Sequence, residues 1–446
     1  MSASLPVYRD VIGLIPGGPL QFIDFGFDIR RLDKTKRYFY EHRHLAASTS
    51  PNEAEYYLLC LDFDDRSQTY SHRRLPSGAE MDGLGRDRAL NPQYTINAAK
   101  AVDTFLDEWI PVPVFRKIGE TAGGAPRFSQ GPANWARLRL SALPRPDDNG
   151  NTHVGVLAFD PTVEDSDETP FAALTPRDVS EGGEYLLAAD ERECDWFLGS
   201  AWVGEWLKAV FHRFVRNQKN RAPRPEDFPY HFEHVARYIT LLQVVLDSGA
   251  VPRLRLIDPS EYVPIDVDLV LDVGNSRTCG ILIETEADNQ TDLNDSYALE
   301  LRDLSHPHLR YKEPFSSRIE FALSRFGDEA LSRDSGRRTQ AFTWPTVVRV
   351  GPEALRLSSQ AQRTEGNTGM SSPKRYLWDE YPRQQEWRFI SVSADETSAE
   401  PPVNQGTMRS IQGRGPAACS TARRSFACSA LKPGGGASAS QASSSC

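Results

Sequence analysis

The chain has 446 residues and a formal net charge of −10, a length that suits about two to four domains. Residues 401–446 hold five bases and no acid, so residues 1–400 carry 46 bases against 61 acids. Such an acidic body is a poor nucleic-acid binder, which needs a basic face, and no window supplies the ~20 apolar residues of a membrane span.

The N-terminus has no basic start followed by an apolar run, because Asp10 and Pro16 interrupt it, so no cleavable signal peptide is predicted. The six cysteines are Cys60, Cys194, Cys279, Cys419, Cys428 and Cys446, and none forms a C-x-x-C pair. The first three are expected to be reduced and mostly buried, as in a cytoplasmic protein. Export by a route that reads no cleavable signal stays open.

Residues 1–75 are β-rich, with strands expected at Val11–Ile15, Leu20–Ile29 and Tyr56–Phe63. Gln93–Ile110 has helical spacing and is stopped by Pro111 and Pro113. Ala136–Leu143 and His153–Phe159 are strand candidates, and acidic Asp165–Glu184 is expected to be loop. Trp196–Arg216 and His231–Leu246 carry apolar residues at three- and four-residue steps, and Gly249 is placed to stop the second helix. Pro252–Pro264 is expected to be a linker, which puts an α+β region at 1–264.

The second region, 265–398, opens with the chain's most informative stretch. Val267–Val273 and Cys279–Ile283 are apolar runs around the turn Gly274, Asn275, Ser276, Arg277 and Thr278, and Asp272 ends the first run. Backbone N–H groups in such a turn form an anion-binding concavity, and glycine lets a ligand approach. Ser276, Thr278 and Asn275 offer further donors. Asp272 repels a bare phosphate and becomes useful when hydrated Mg²⁺ lies between them. The alternative is a plain hairpin in which Asn275 and Ser276 satisfy the turn. Further on, strand pieces are expected at Tyr297–Arg302 and Arg318–Phe321, and Thr343–Val350 returns to apolar alternation. Residues 399–446, ending in GGGASASQASSSC, cannot bury enough surface to order themselves. Their abrupt composition points to an out-of-frame tail or a premature end, with an ordinary flexible tail as the alternative.

DLVLDVGNSRTCGILIE resembles the first phosphate loop of the actin/Hsp70/sugar-kinase superfamily, a strand–D-x-G-[TN]-[TS]–strand pattern. FTWPTVVRVGPEALRLSSQAQ and then SSPKRYLWD resemble later segments of an Hsp70-type lobe, in the same order. Residues 288–340 depart as an insertion, and Thr346 replaces the usual Ser. The resemblance implies an α/β chain whose α+β N-terminal region precedes an incomplete actin/Hsp70-like, ribonuclease-H-type lobe. It implies ATP and Mg²⁺ as ligands. Asp272 would bind the metal through water. Gly274, Asn275, Ser276 and Thr278 would hold the β- and γ-phosphates, with Arg277 intervening before Thr278. Lys374 would approach the γ-phosphate and the attacking water, or else is an exposed loop lysine.

The opening VIGLIPGGPLQFIDFGFDIRRL with this late loop resembles the N-terminal part of bacterial SrfB-like virulence factors, over roughly residues 7–395. No second D-x-G loop and no glycine-rich adenosine loop follow Lys374. The expectation is therefore a truncated piece of an ATPase that lacks turnover by itself. A non-catalytic scaffold or nucleotide sensor with protein partners is the alternative, and a small-molecule kinase of the same superfamily remains open. Asp24-Phe25-Gly26 lacks a following Thr or Ser and reads as strand core. His231 with His234, and His306 with His308, lack an evident third metal ligand. The Trp196, Trp202 and Trp206 group reads as helix core.

Overall fold

The computed structural model describes residues 5–44, 55–75, 90–165, 172–258, 266–285, 296–337, 340–360 and 368–374. The chain mixes helix and strand and divides into two compact units. One comprises Met1–Ile257 with Phe326–Phe342, the other Asp258–Arg325 with the residues from Thr343 onward. The expectations for 399–446 lie outside the described residues. No described helix is long and apolar enough to cross a membrane.

Among its described residues the first unit holds three sheets and three main helices around one large core. In one sheet, Gln21–Phe27 pairs antiparallel with His153–Phe159, which pairs with Ala136–Ala142 and through it with Trp109–Pro111. Asp24-Phe25-Gly26 lies inside this sheet with Phe25 fully buried, so it is strand core. A second sheet runs Thr69–Leu75, Glu55–Asp64, Lys36–His44, Tyr94–Asn97. Strand alternation turns Phe39 into the main core, while Tyr38 and Tyr40 pack outward on Leu59, Leu61 and Leu90. The third sheet joins Ile12–Leu14, Leu254–Leu256, Glu184–Leu187, Val114–Glu120 and Pro126–Phe128.

Several sequence expectations change here. Helix covers only Ala98–Phe105 of the expected 93–110 span, because the Asn97 side chain caps it by accepting the Lys100 N–H at 2.9 Å. Tyr94–Asn97 is instead a strand on Lys36–Phe39. The Trp196–Arg216 helix is broken: Ser200 is extended, which separates Asp195–Leu198 from Ala201–Lys219. Trp202 and Trp206 are buried, and their rings meet edge to face at 6.3 Å. The expected loop at 165–184 contains the helix Pro176–Glu181, nucleated by a Thr175–Asp178 capping box with Pro176 at its first position. The expected linker contributes Leu254–Leu256, whose fully buried Leu254 pairs with both Ile12 and Tyr185. Glu233–Asp247 forms the last helix of this stretch, and Gly249 follows it with φ +63°.

The return of 326–342 to the first unit has no counterpart in the sequence reading. This segment carries a six-residue helix, Glu329–Asp334, whose first N–H groups are capped by Asp328. Cys60 and Cys194 are buried free thiols as expected, but Cys279 is exposed.

In the second unit, Asp266–Val273 and Arg277–Thr285 form the expected antiparallel hairpin, and Ser296–Ala298 adds to the second strand. Arg318–Phe321 is the centre of a separate three-stranded sheet, flanked by Val348–Val350 and Gly369–Ser371. The expected alternation over 343–350 therefore yields strand only at its end. Helix Gly351–Gln360 follows, and buried Leu357 packs on Ala322. Among the described residues, Asp266–Val273 is paired on one side only. Val270 and Leu271 there are 50% and 45% exposed.

Candidate functional site

The hairpin register places Asp272 opposite Cys279 and Val273 opposite Thr278. The turn is closed by the Gly274 N–H, which donates to the Arg277 carbonyl at 2.9 Å. A Cβ on residue 274 would lie 2.5 Å from that same carbonyl oxygen, so only glycine fits. Asp272, Asn275, Ser276 and Arg277 are exposed, and Gly274 and Thr278 are half-buried. The tip thus offers a carboxylate, an amide and a hydroxyl to solvent on a rigid base.

That base is built by Phe315–Ser317. Phe315 pairs with Thr278 and Ser316 with Arg277. The Ser317 N–H donates to the Ser276 carbonyl at 2.9 Å, and the Ser317 and Thr278 hydroxyls lie 2.8 Å apart. The Ser372 N–H in turn donates to the Ser317 carbonyl at 2.8 Å, which brings Pro373 and Lys374 to this end of the unit. Lys374 is exposed, and no described ion pair joins it to Asp272. The Pro345–Gly351 segment also arrives here. Gly351, at φ +64°, opens the ten-residue helix, and a Cβ on it would meet the Phe315 ring at 3.1 Å. Three stretches far apart in sequence therefore converge on Phe315–Ser317.

Ser317 stands outside the turn motif, in a plain Ser-Ser pair. Its only signal was position, at the start of the strand Arg318–Phe321. Nothing in a lone serine pair before a short strand announces a contact with residues 276 and 278.

The donor set can be tested against Mg²⁺. Among the described residues no group of three or more His, Cys, Asp or Glu side chains could hold a metal. Asp272 is a single exposed carboxylate at the turn. One carboxylate suits an ion that keeps most of its waters and takes other ligands from phosphates, and does not suit an all-protein cage. The residues present fit a hydrated Mg²⁺ arriving with a nucleotide.

The histidine pairs have other settings. His231 stacks on Tyr56 at 3.8 Å. Burial, with Lys208 and His212 nearby, pushes His234 down to about 4. His306 and His308 lie in the loop held to the 351–360 helix by Asp303, which takes both 2.8 Å bonds of Arg356, and by Glu353, which accepts from Ser305. Burial and the neighbouring Asp303 raise the Glu353 carboxyl. These bonds fix a loop, and their carboxylates are already engaged.

Fold and site together define a two-unit protein of mixed helix and strand, with a glycine-closed, hydroxyl-braced hairpin turn in its second unit. The family model described as virulence factor SrfB matches residues 1–433, and the chain belongs to that family. No curated protein and no solved structure matches it.

Proposed function

We propose that the second unit binds the phosphates of a nucleotide, ATP by resemblance, at the 272–278 turn. The observation that supports this most is the convergence on Ser317, where the D-x-G-N-S turn, the Gly351 helix start and the Ser372–Lys374 segment meet. Asn275, Ser276 and Thr278 would donate to phosphate oxygens, and Gly274, whose own N–H is taken by the Arg277 carbonyl, would let the phosphates approach. Asp272 would hold hydrated Mg²⁺, and the metal, when bound, would offset phosphate charge. Lys374 would add a cation beside the terminal phosphate. In phosphoryl transfer the protein's share is positioning and charge stabilisation, and these residues supply both kinds of group. In this reading the unit is of the actin/Hsp70-like ATPase kind, in a virulence-associated family.

The test is titration of the full chain with a fluorescent ATP analogue, with and without Mg²⁺. Asp272→Ala is expected to weaken Mg²⁺-dependent binding about tenfold or more, and Gly274→Val to abolish it. Equal affinity for wild type and both variants would sink the proposal. Turnover is measured separately, because binding does not require it.

A second reading is an interaction scaffold. The exposed Val270 and Leu271 on a strand paired on one side favour it. Binding that ignores Asp272 but is lost on Leu271→Lys, in a pull-down with defined partners, would select it.

A further inference from the structure

The first unit contains an open cavity of about 440 Å³, a size that suits a small molecule. The most buried part of its lining is the ion pair of Arg37 with Glu191, 2.7 Å apart. Burial opposes the Arg37 charge, and Glu191 with nearby Asp62 outweighs that cost and raises its pKa.

The walls around this pair are held in place. The Thr35 N–H donates to the Leu32 carbonyl, and the Thr35 carbonyl accepts from the Ala98 N–H, both at 3.0 Å. The Thr35 hydroxyl donates to one Asp247 oxygen at 3.0 Å, and the Gln243 amide to the other at 2.7 Å. Asp190 accepts twice from the Arg192 guanidinium, at 3.0 and 2.6 Å, and its carbonyl accepts from the Glu193 and Cys194 N–H groups. A ligand would therefore meet a frame already formed, which lowers the cost of binding.

The charges in the lining are mixed. Arg37 answers Glu191, and Arg192, from outside the lining, answers Asp190. Asp247 is different: among the described residues it is bonded by neutral groups and joins no ion pair. It also ends the helix Glu233–Asp247, where the last carbonyls add negative partial charge and no base offsets it. Lys34 and Lys36 line the same cavity, yet among the described residues neither joins a carboxylate, and Lys36 lies 5.6 Å from the Tyr38 ring centre instead. A bare anion drawn to the two lysines would meet Asp62 and Asp247. A bare cation drawn to Asp247 would meet the lysines. No aromatic or aliphatic residue lines the cavity, so a nucleobase or an acyl chain would find no surface to bury against.

We propose that this cavity binds a small zwitterion of the free amino-acid class. Its ammonium donates to Asp247, and its carboxylate accepts from Lys34 and Lys36. Charge-assisted hydrogen bonds hold both ends, and the Arg37–Glu191 pair stays closed beneath them. None of these residues belongs to the 272–278 turn, so the site is independent of the phosphate reading.

The test is calorimetric titration of the full chain with glycine, β-alanine and γ-aminobutyrate, which carry an ammonium and a carboxylate at growing separation. Acetate and ethylammonium, at matched ionic strength, each offer one end alone. At least one of the three zwitterions is expected to bind about tenfold or more tighter than either single ion. Lys36→Met and Asp247→Asn are each expected to weaken that binding about tenfold, while Lys219→Met, on the exposed end of helix Ala201–Lys219, leaves it unchanged. Lys36 and Asp247 are exposed, so both variants are expected to melt as wild type does. If Asp247→Asn melts lower because the Thr35 and Gln243 bonds loosen, Lys34→Met replaces it. No binding by any of the three, or equal binding by acetate or ethylammonium, overturns the zwitterion. Binding that survives the lysine and Asp247 substitutions in folded protein overturns the cavity as its site.

Discussion

The hydroxyls of Thr278 and Ser317 lie 2.8 Å apart across 39 positions of sequence. With the Ser317 N–H on the Ser276 carbonyl, this pair makes the turn a two-sided structure rather than a free hairpin tip. Ser317→Ala removes the shared hydroxyl and leaves Thr278 to water. A loss of about 1 kcal/mol is expected, with analogue affinity falling about threefold to tenfold. Denaturant melts and the same titration check both. Unaltered affinity with the expected destabilisation would confine Ser317 to a structural part.

Gly274→Ala places a methyl group against the Arg277 carbonyl. The turn must open, at a cost of about 2 kcal/mol. Gly119, in strand Val114–Glu120 with open space around its Cβ position, is the control: Gly119→Ala is expected to stay within about 0.5 kcal/mol. Equal effects of the two substitutions in thermal melts would count against the close approach at residue 274.

His234 gives a pH signature. Burial first, then Lys208 and His212, lowers its folded-state value to about 4 from 6.5. The unfolded chain therefore binds the extra proton between those values. Stability is full above about pH 6.5 and falls as pH drops toward 4, by about 2 kcal/mol after allowing for partial exposure of the ring. His234→Gln should flatten stability between pH 4 and 6.5 relative to wild type. His153 and His212 are also lowered by burial and leave a smaller slope of the same sign.

Leu271→Lys tests the one-sided strand. Leu271 is 45% exposed, so the substitution is expected to change stability by less than about 0.5 kcal/mol. It should lower concentration-dependent light scattering, because a lysine on an open edge discourages strand-to-strand association. A large loss of stability instead would mean that this side chain is covered in solution.

Local chemistry was legible in the sequence where a single period or cap governed an element. His153–Phe159 and Arg318–Phe321 have the boundaries their apolar runs suggest. The Thr175–Pro176–Asp178 cap is present in the residues, but the many acids around it suit a loop equally well. Tyr94–Asn97 shows the limit of helical spacing: its apolar residues suit either period, and pairing with Lys36–Phe39 decides. Leu254 lay among prolines and polar residues and became a central strand position only through Ile12 and Tyr185. At the site, the turn residues were evident, whereas Ser317 acquires its place from non-local pairing alone. The packing of 326–342 against Arg137, which donates to the Phe326 carbonyl, and Asp160, which accepts from the Phe342 N–H, was likewise invisible, since it depends on two strands distant in the chain.

The excursion at 326–342 also sets an order of events in time. Arg137 and Asp160 are synthesised well before the segment that satisfies them, which begins 69 positions after Ile257, the last residue of the preceding stretch of that unit. At about 5–20 residues per second, the ribosome needs about 3–14 s to supply it. During that interval a nearly complete core holds an open slot with a buried-type arginine and two acids facing water. Maturation of the first unit is then timed by elongation of the second, and a pause in translation between residues 258 and 342 would prolong its exposure to chaperones and proteases.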